Sequence, residues 1–194
     1  GDLFFGSSDS SIIEINGTSK TQHTLEDGLV WYWNFDNDQN GSSNAVNATI
    51  GGMNGTKGSG VTLVTGKFGN ALKFDGSTNA NSFVDFGSGS RTNFDGIFSV
   101  SLWVKRTGAY SGYGRLVTNK SGGSTSGFQI YFSTTNDRLY VKGTTQTRYG
   151  RATSSWTAQN WVHVVTTFNA QAASTAQRFK MYADGSFVTQ GDMP

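Results

Sequence analysis

The chain has 194 residues, of which 35% are hydrophobic, 13% aromatic and 14% charged. Glu occurs only at Glu14 and Glu26, which argues against long surface helices, because such helices normally carry many Glu and Lys residues. The net charge of +2, with scattered basic residues, excludes the strongly basic class of nucleic-acid-binding proteins. The chain contains no cysteine, so disulfides do not hold this fold. No apolar run approaches the roughly 18 residues of a transmembrane helix, so we expect no membrane insertion.

The first 27 residues differ in character from the rest of the chain. They contain two similar segments, Leu3–Ser8 and Glu14–Ser19, in which a short apolar stretch ends at a Gly-Ser or Gly-Thr turn. Two such strands bury too little surface to be stable alone, so we predict that residues 1–27 anchor or dock the chain on the main domain or on a partner protein. The alternative is a disordered leader in which the similarity arises by chance.

Strand signals follow one another from Gly28 to the end of the chain. Residues 29–35 are dense in aromatic and β-branched side chains, and apolar residues alternate strictly in residues 98–104. Residues 161–168 are apolar on both faces, which is typical of a central strand under a second layer. Asp184-Gly185 predicts a two-residue hairpin, and the Ala-rich residues 170–177 are too short for an independent helix and are predicted to form a loop. Turns recur about every 8–12 residues, the spacing of a β-sandwich.

Five segments in this order resemble the laminin G-like, concanavalin A-like jelly-roll family: Leu29–Asp36, Gly66–Gly76, Phe98–Val104, Trp161–Val164 and Lys180–Gly185. The resemblance implies that residues 28–194 form an all-β, antiparallel two-sheet jelly-roll sandwich. The family usually continues beyond the Asp-Gly hairpin with further strands. The chain stops at Pro194, so we expect either that the closing strands are missing or that residues 1–27 take their place.

Catalysis is not predicted. Members of this fold include glycosidases, and a retaining glycosidase needs two carboxylates about 5.5 Å apart. The sequence has no Glu after Glu26, and Asp36 and Asp38 follow the first predicted strand into a loop. No strand-to-helix Gly-x-Ser-x-Gly nucleophile motif is present. His163 lies within an apolar strand, where we expect a core histidine with a satisfied hydrogen bond. The chain is therefore predicted not to be an enzyme.

A structural calcium ion is implied by the family resemblance. Proteins of this family often bind Ca²⁺ through loop oxygens near the first strands, and Asp, Asn and carbonyl oxygens are its usual ligands. The matching residues are Asp36, Asp38, Asn47 and Asp75. The loop Gly41–Asn47 carries Asn where the family commonly has Asp, which implies weaker binding. The alternative is that these residues form ordinary Asx turns.

Two segments rich in tyrosine and arginine are candidates for ligand binding. Tyr and Arg in loops flanked by Gly and Ser suit glycan recognition, and they suit a protein–protein interface equally well. The alternative is decoration of turns without a binding role. The predicted ligand-binding residues are Tyr110, Tyr113, Arg115, Arg148, Tyr149, Arg151 and Trp156. The other tryptophans, Trp31, Trp33, Trp103 and Trp161, fall in predicted strands and are expected in the core or on a sheet face.

Two functions remain open from the sequence. The first is a non-catalytic surface or adhesion domain of a virus particle, because residues 1–27 resemble segments of phage tail and virion structural proteins. Its partners are then other particle or surface proteins, host glycans are a further candidate ligand, and we expect it to be oligomeric within an assembly. The alternative is a carbohydrate-binding module of a secreted bacterial protein. Either function places the domain on a virion surface or outside the cell, and the fold does not choose between them.

Overall fold

Antiparallel β-sheet forms almost all of the regular structure, as the sequence predicts. The structure, a computed structural model, describes the backbone of residues 3–6, 11–16, 19–24, 28–38, 44–76, 81–87, 96–107, 113–119, 128–133, 138–142, 147–151 and 159–191. Side chains are described for residues 28–38, 44–76, 81–87, 96–107, 114–119, 128–131 and 159–191. Within these ranges a 3-10 helix at Thr175–Gln177 is the sole helical element. No described helix is both long enough and apolar enough for a transmembrane span.

The chain divides into two compact units, Gly1–Gly87 and Ser88–Pro194, which are described here one at a time. The first unit begins with a three-stranded antiparallel sheet of β1 (Leu3–Gly6), β2 (Ser11–Asn16) and β3 (Ser19–Thr24). The sequence predicts two strands in this segment. The third strand is polar and carries no apolar signal, and it forms by pairing with β2 from Asn16 opposite Ser19 to Ser11 opposite Thr24.

Two further sheets complete the first unit. One has the order β4 (Ala45–Val46), β5 (Gly55–Lys57) and β8 (Val84–Asp85), and the other pairs β6 (Val61–Thr65) with β7 (Asn70–Phe74). Among the described side chains of this unit, the buried apolar ones are those of Val46, Met53 and Val61.

Residues 29–35 are not a strand, which corrects the sequence prediction. Only one bridge, Tyr32 opposite Ile50, connects this described segment to a partner. Trp33 instead packs its ring 4.7 Å from the Phe86 ring centroid and donates its indole N–H to the Met53 carbonyl oxygen at 2.8 Å. Phe35 has a φ of 63°, a left-handed conformation that ends any extended run. The aromatic residues of this segment therefore do not indicate a β-strand. Trp33 packs individually against another part of the first unit.

The second unit contains two four-stranded sheets. The first has the order β10 (Tyr113–Thr118), β11 (Gln129–Ser133), β12 (Arg138–Lys142) and β13 (Thr147–Arg151). The second has the order β16 (Ser186–Gly191), β15 (Phe179–Ala183), β14 (Trp161–Asn169) and β9 (Ile97–Lys105). In this second sheet β14 lies between β15 and β9, which confirms the central position that its sequence predicts.

A single hydrophobic core joins these two sheets into a sandwich. The Phe98 ring stacks on Phe168 with centroids 4.3 Å apart, and Phe128 lies 5.5 Å from Phe98 across the core. Phe98, Val100, Leu102 and Val104 all face this core, as their alternation predicts. The remaining members of the cluster come from both sheets: Leu116, Val117, Ile130, Val162, Val164, Phe179, Met181, Ala183 and Val188.

The hairpin between β15 and β16 has the predicted two-residue turn. Ala183 pairs with Ser186, and the two residues between them have positive φ angles, 48° at Asp184 and 76° at Gly185. Positive φ at both central positions is the signature of a type I′ turn, for which Asp-Gly is a preferred sequence. Residues 170–177 form turns and the short 3-10 helix, close to the predicted loop.

Candidate functional site

Of the predicted calcium ligands, Asp38 and Asn47 come together. Asp38 is only 6% exposed, and its Oδ1 accepts hydrogen bonds from the Asn47 backbone N–H at 2.8 Å and from the Asn47 side-chain amide at 3.0 Å. Its second carboxylate oxygen, Oδ2, is buried without a hydrogen-bond partner. A buried carboxylate oxygen without a partner is costly, so a cation at this atom would relieve the cost.

The carboxylates of the other two predicted ligands lie against other backbone segments of the first unit. Asp36 Oδ1 accepts the Asn70 backbone N–H at 2.8 Å, and a Cβ on Gly69 would lie only 2.2 Å from that oxygen. Asp75 lies beside Gly60, whose added Cβ would meet the Asp75 carboxylate at 2.7 Å. Among the described side chains, no three His, Cys, Asp or Glu residues group as a metal site. Any cation in this region would therefore depend on Asp38 together with amide and carbonyl oxygens.

The predicted Tyr and Arg ligand residues that the structure describes lie in strands and not in loops, which corrects the sequence interpretation for them. Tyr113 and Arg115 belong to β10, while Arg148, Tyr149 and Arg151 belong to β13. Glycines next to these residues suggest loops in the sequence, but the strands form because β11 and β12 supply pairing partners on their inner sides. Tyr110 and Trp156 lie outside the described residues.

The register aligns several of these residues across the sheet. Arg115 pairs with Tyr131, Tyr131 with Tyr140, and Tyr140 with Tyr149, so one row crosses all four strands. The row two residues further along contains Tyr113, Ser133, Arg138 and Arg151. Because β10 and β13 are the two edges of the sheet, the ends of each row lie about 14 Å apart, three strand spacings. Arg115 is exposed, whereas Tyr131 is buried.

The other sheet of this unit carries an aromatic site on the face that points away from the core. Trp103 lies opposite His163 in the β9–β14 register, and Lys105 lies opposite Trp161 two residues further along. The core-facing neighbours of these four residues are Leu102, Val104, Val162 and Val164. We call Trp103, Lys105, Trp161 and His163 the indole cluster.

Contacts within the indole cluster hold its side chains in defined positions. The Trp103 and His163 rings stack with centroids 5.0 Å apart and an interplanar angle of 25°. The Lys105 ammonium lies 5.1 Å from the Trp161 ring centroid, within the range of a cation–π contact. Trp103 is 40% exposed. The cluster thus presents a partly exposed indole and a positioned cation on a rigid pair of long strands.

Hydrogen bonds from both sides orient His163. Its Nε2 lies 2.8 Å from the Ser101 hydroxyl oxygen, a neighbour on the same outer face of β9. The Asp184 carboxylate accepts the His163 backbone N–H at 2.9 Å, and the Asp184 N–H donates to the His163 carbonyl at 2.9 Å. These two hydrogen bonds therefore join the Asp184-Gly185 turn to the first residues of β14, which carry the cluster. His163 has its expected hydrogen bond, but it lies on the outer face, so the expectation of a core histidine is wrong.

Sequence reasoning treats Trp103 and Trp161 as core or sheet-face residues and does not join them into a site. The available signal is alternation: the outward positions of β9 are Ile97, Ser99, Ser101, Trp103 and Lys105. Trp103 is a large aromatic residue flanked on this face by the polar Ser101 and Lys105, a position that core packing does not explain. The partner residues on β14 follow only from the register.

Comparison with protein-family models gives a match that covers the whole of the second unit. The family model described as the concanavalin A-like lectin/glucanases superfamily matches residues 75–194, which is 120 of the 194 residues. This range contains β9 to β16, the indole cluster and three of the five segments that carry the resemblance in the sequence. No curated protein and no solved structure matches the chain.

Proposed function

Because this chain belongs to the concanavalin A-like lectin/glucanases superfamily, we propose that it is a non-catalytic carbohydrate-binding domain that acts in adhesion. The observation that carries the proposal is the indole cluster on the outer face of β9 and β14. Sugar rings have an apolar face that packs on an indole and hydroxyl groups that need hydrogen-bond partners. Trp103 supplies the indole, and Ser101, His163 and Lys105 supply polar atoms beside it.

The cluster suits binding because its geometry is fixed before a ligand arrives. Stacking on His163 limits the motion of the Trp103 ring, and the ring rests on a strand that pairs with β14 over nine residues. A side chain that is already ordered loses less conformational entropy when it binds, so more of the contact energy contributes to affinity. Sites built on strands also keep their geometry better than sites on loops.

The composition of the second unit supports a non-catalytic domain. Glycoside hydrolysis by the common mechanisms uses two carboxylates that face each other across the scissile bond. From Ser88 to Pro194 the sequence has no Glu and four Asp residues, which are widely separated: Asp95, Asp137, Asp184 and Asp192. Asp184 is already bonded to the His163 backbone. We therefore expect binding without hydrolysis.

The biological setting that we propose is the surface of a virus particle, with the first 27 residues as the segment that docks on other particle proteins. The three-stranded sheet β1–β3 and the resemblance to virion segments support this setting. In it the domain is oligomeric, and the second unit faces outward to meet glycans of a host. The second candidate is a carbohydrate-binding module of a secreted bacterial protein, which would use the indole cluster in the same way.

The test of the proposed function is the substitution Trp103→Ala. We expect wild type to bind members of a broad glycan array saturably, and we expect the substitution to lower the affinity at least about tenfold, the usual loss for a central aromatic contact. Because Trp103 is already partly exposed, the thermal unfolding temperature should change little.

The control for this experiment is Ile97→Ala. Ile97 lies on the outer face of the same strand and is more exposed than Trp103, but it lies outside the indole cluster. Isothermal titration calorimetry with the best array ligand should give wild-type affinity for this control. Unchanged affinity in Trp103→Ala, or no saturable binding by wild type, would refute the proposed function.

A structural calcium ion is a further part of the proposal. Asp38 Oδ2 fits such a cation because it is a buried carboxylate oxygen without a partner, and Asn47 already fixes the other oxygen of this carboxylate. When bound, calcium would neutralise the buried charge and stabilise the loop that carries both residues. Asp36 and Asp75, whose carboxylates contact other groups, stay predicted ligands.

Calcium should therefore raise the unfolding temperature of the wild-type chain, and Asp38→Asn should abolish this increase. A ligand at 100 times its dissociation constant stabilises the folded state by about 2.7 kcal/mol. The matched control is Asp85→Asn, which removes the same charge from an exposed residue that caps Gly87. Differential scanning fluorimetry with calcium, magnesium and chelator measures the effect. A wild-type chain that is insensitive to calcium would contradict the proposal.

A further inference from the structure

We propose that the saccharide bound at the indole cluster is an acidic one, with the carboxylate of a uronic acid or of another acidic sugar bound by Lys105. This inference rests on the proposed function and adds the class of ligand to it. Three observations carry it: the charge distribution along the chain, the position of Lys105, and the scarcity of carboxylates beside the cluster.

The net charge of the chain conceals a strong asymmetry between its two units. Residues 1–87 contain four Lys and no Arg against nine acidic residues, a net charge of −5. Residues 88–194 contain eleven Lys and Arg residues against four Asp, a net charge of +7. Such asymmetry between parts of a chain indicates that the basic part has an anionic partner, because its field raises the local concentration of anions.

Within this basic unit, Lys105 lies beside Trp103, the indole on which we propose that the sugar packs. It lies two residues from Trp103 on the same face of β9, a separation of about 7 Å along the strand. The Trp161 ring holds its ammonium at 5.1 Å from the ring centroid, so the charge is positioned without a carboxylate partner in that contact. A pyranose on Trp103 would therefore have a fixed ammonium within reach of a ring substituent.

The other charges on this outer face are few and are consistent with an anionic ligand. Lys180 on β15 points outward four residues along β14 from His163, because it pairs with Thr167. Asp184 is the one carboxylate among the described side chains of residues 88–194, and its Oδ1 accepts the His163 backbone N–H. A carboxylated sugar at Lys105 would therefore meet little like-charge repulsion from the described side chains of this face.

A saccharide fits this face better than a nucleic acid does. Nucleic-acid surfaces carry a dense row of Lys and Arg that neutralises several successive phosphates. The two lysines on the outer face of this sheet lie on strands separated by β14 and in rows that are six residues apart along β14. One indole with one neighbouring ammonium matches a single sugar ring that carries one carboxylate.

The experiment compares polygalacturonate with its methyl ester, because esterification removes the charge and keeps the sugar backbone, and it adds alginate and hyaluronate as further polyuronates. We expect wild type to bind at least one polyuronate, more weakly as salt rises, and to bind the uncharged ester at least about tenfold more weakly. Lys105→Met keeps the aliphatic length of the side chain and should lower polyuronate affinity about tenfold. Lys180→Met, on the same face but outside the indole cluster, is the matched control.

The outcomes separate this inference from the proposed function. If neutral polysaccharides bind as tightly as polyuronates, or if Lys105→Met binds like wild type while Trp103→Ala does not, the ligand is a neutral saccharide and the inference is wrong. If no saccharide binds, or if duplex DNA binds more tightly than every polyuronate, both the inference and the proposed function fail. Salt-sensitive polyuronate binding that is lost in Lys105→Met and kept in Lys180→Met supports both.

Discussion

Phe179→Ala is expected to lower the free energy of unfolding by about 3–5 kcal/mol, the range measured for loss of a buried phenylalanine ring. Phe179 is 0% exposed and lies in the core of the second unit, with its ring centroid 6.1 Å from that of Phe168. Removing the ring takes away its transfer free energy and leaves a cavity between the two sheets. Urea denaturation followed by intrinsic fluorescence measures the change.

The control is Phe187→Ala on the neighbouring strand. This phenylalanine is exposed and contacts the outward-facing Tyr182 edge-on at 5.9 Å, so its loss should cost about 1 kcal/mol or less. Equal losses from the two substitutions would contradict the assignment of one shared core between the two sheets of this unit.

Gly51→Ala is expected to destabilise the first unit by about 2–5 kcal/mol, which combines backbone strain with overpacking. Gly51 has a φ of 86°, and a Cβ there would lie 2.0 Å from the Val30 carbonyl oxygen and 2.7 Å from the Trp31 ring. The segment that holds Tyr32 against Ile50 would have to move to make room.

The adjacent Gly52 provides the control. It has a φ of 64°, but an added Cβ would meet nothing within 4 Å, so Gly52→Ala should cost only the backbone strain, about 1 kcal/mol. Denaturant titration of both variants separates the two effects. A Gly51→Ala variant as stable as Gly52→Ala would show that the Val30 backbone does not approach this glycine as the structure describes.

The sequence predicts the elements whose signals are local. Alternation in β9 identifies the buried face correctly, and Asp184-Gly185 identifies both the hairpin and its loop length. These succeed because strand faces and two-residue turns depend on neighbouring residues within one segment. The same local reasoning fails at residues 29–35, where Trp33 docks on the distant Met53 and Phe86 and no partner strand is present in the described chain.

The candidate site is harder to predict because it exists only between strands. His163 opposite Trp103 and Lys105 opposite Trp161 are consequences of register, which no single segment contains. The Tyr and Arg residues of β10 and β13 show the opposite error. Their Gly and Ser neighbours suggest loops, but strand pairing overrides the weak strand propensity of glycine when partners lie on the inner side. Whether these residues bind a ligand stays a prediction.

The pairing of β9 with β14 also has a consequence for how the indole cluster forms during folding. Within the second unit, the other described strand pairs join consecutive strands, whereas Lys105 and Trp161 are 56 positions apart in the chain. The entropy cost of closing a loop rises with the number of residues in it, so contacts between distant positions form slowly. The indole cluster is assembled by this pairing, so a chain that has formed only its hairpins lacks the proposed binding site. If the proposed function holds, we expect ligand binding to appear only once β9 and β14 have paired.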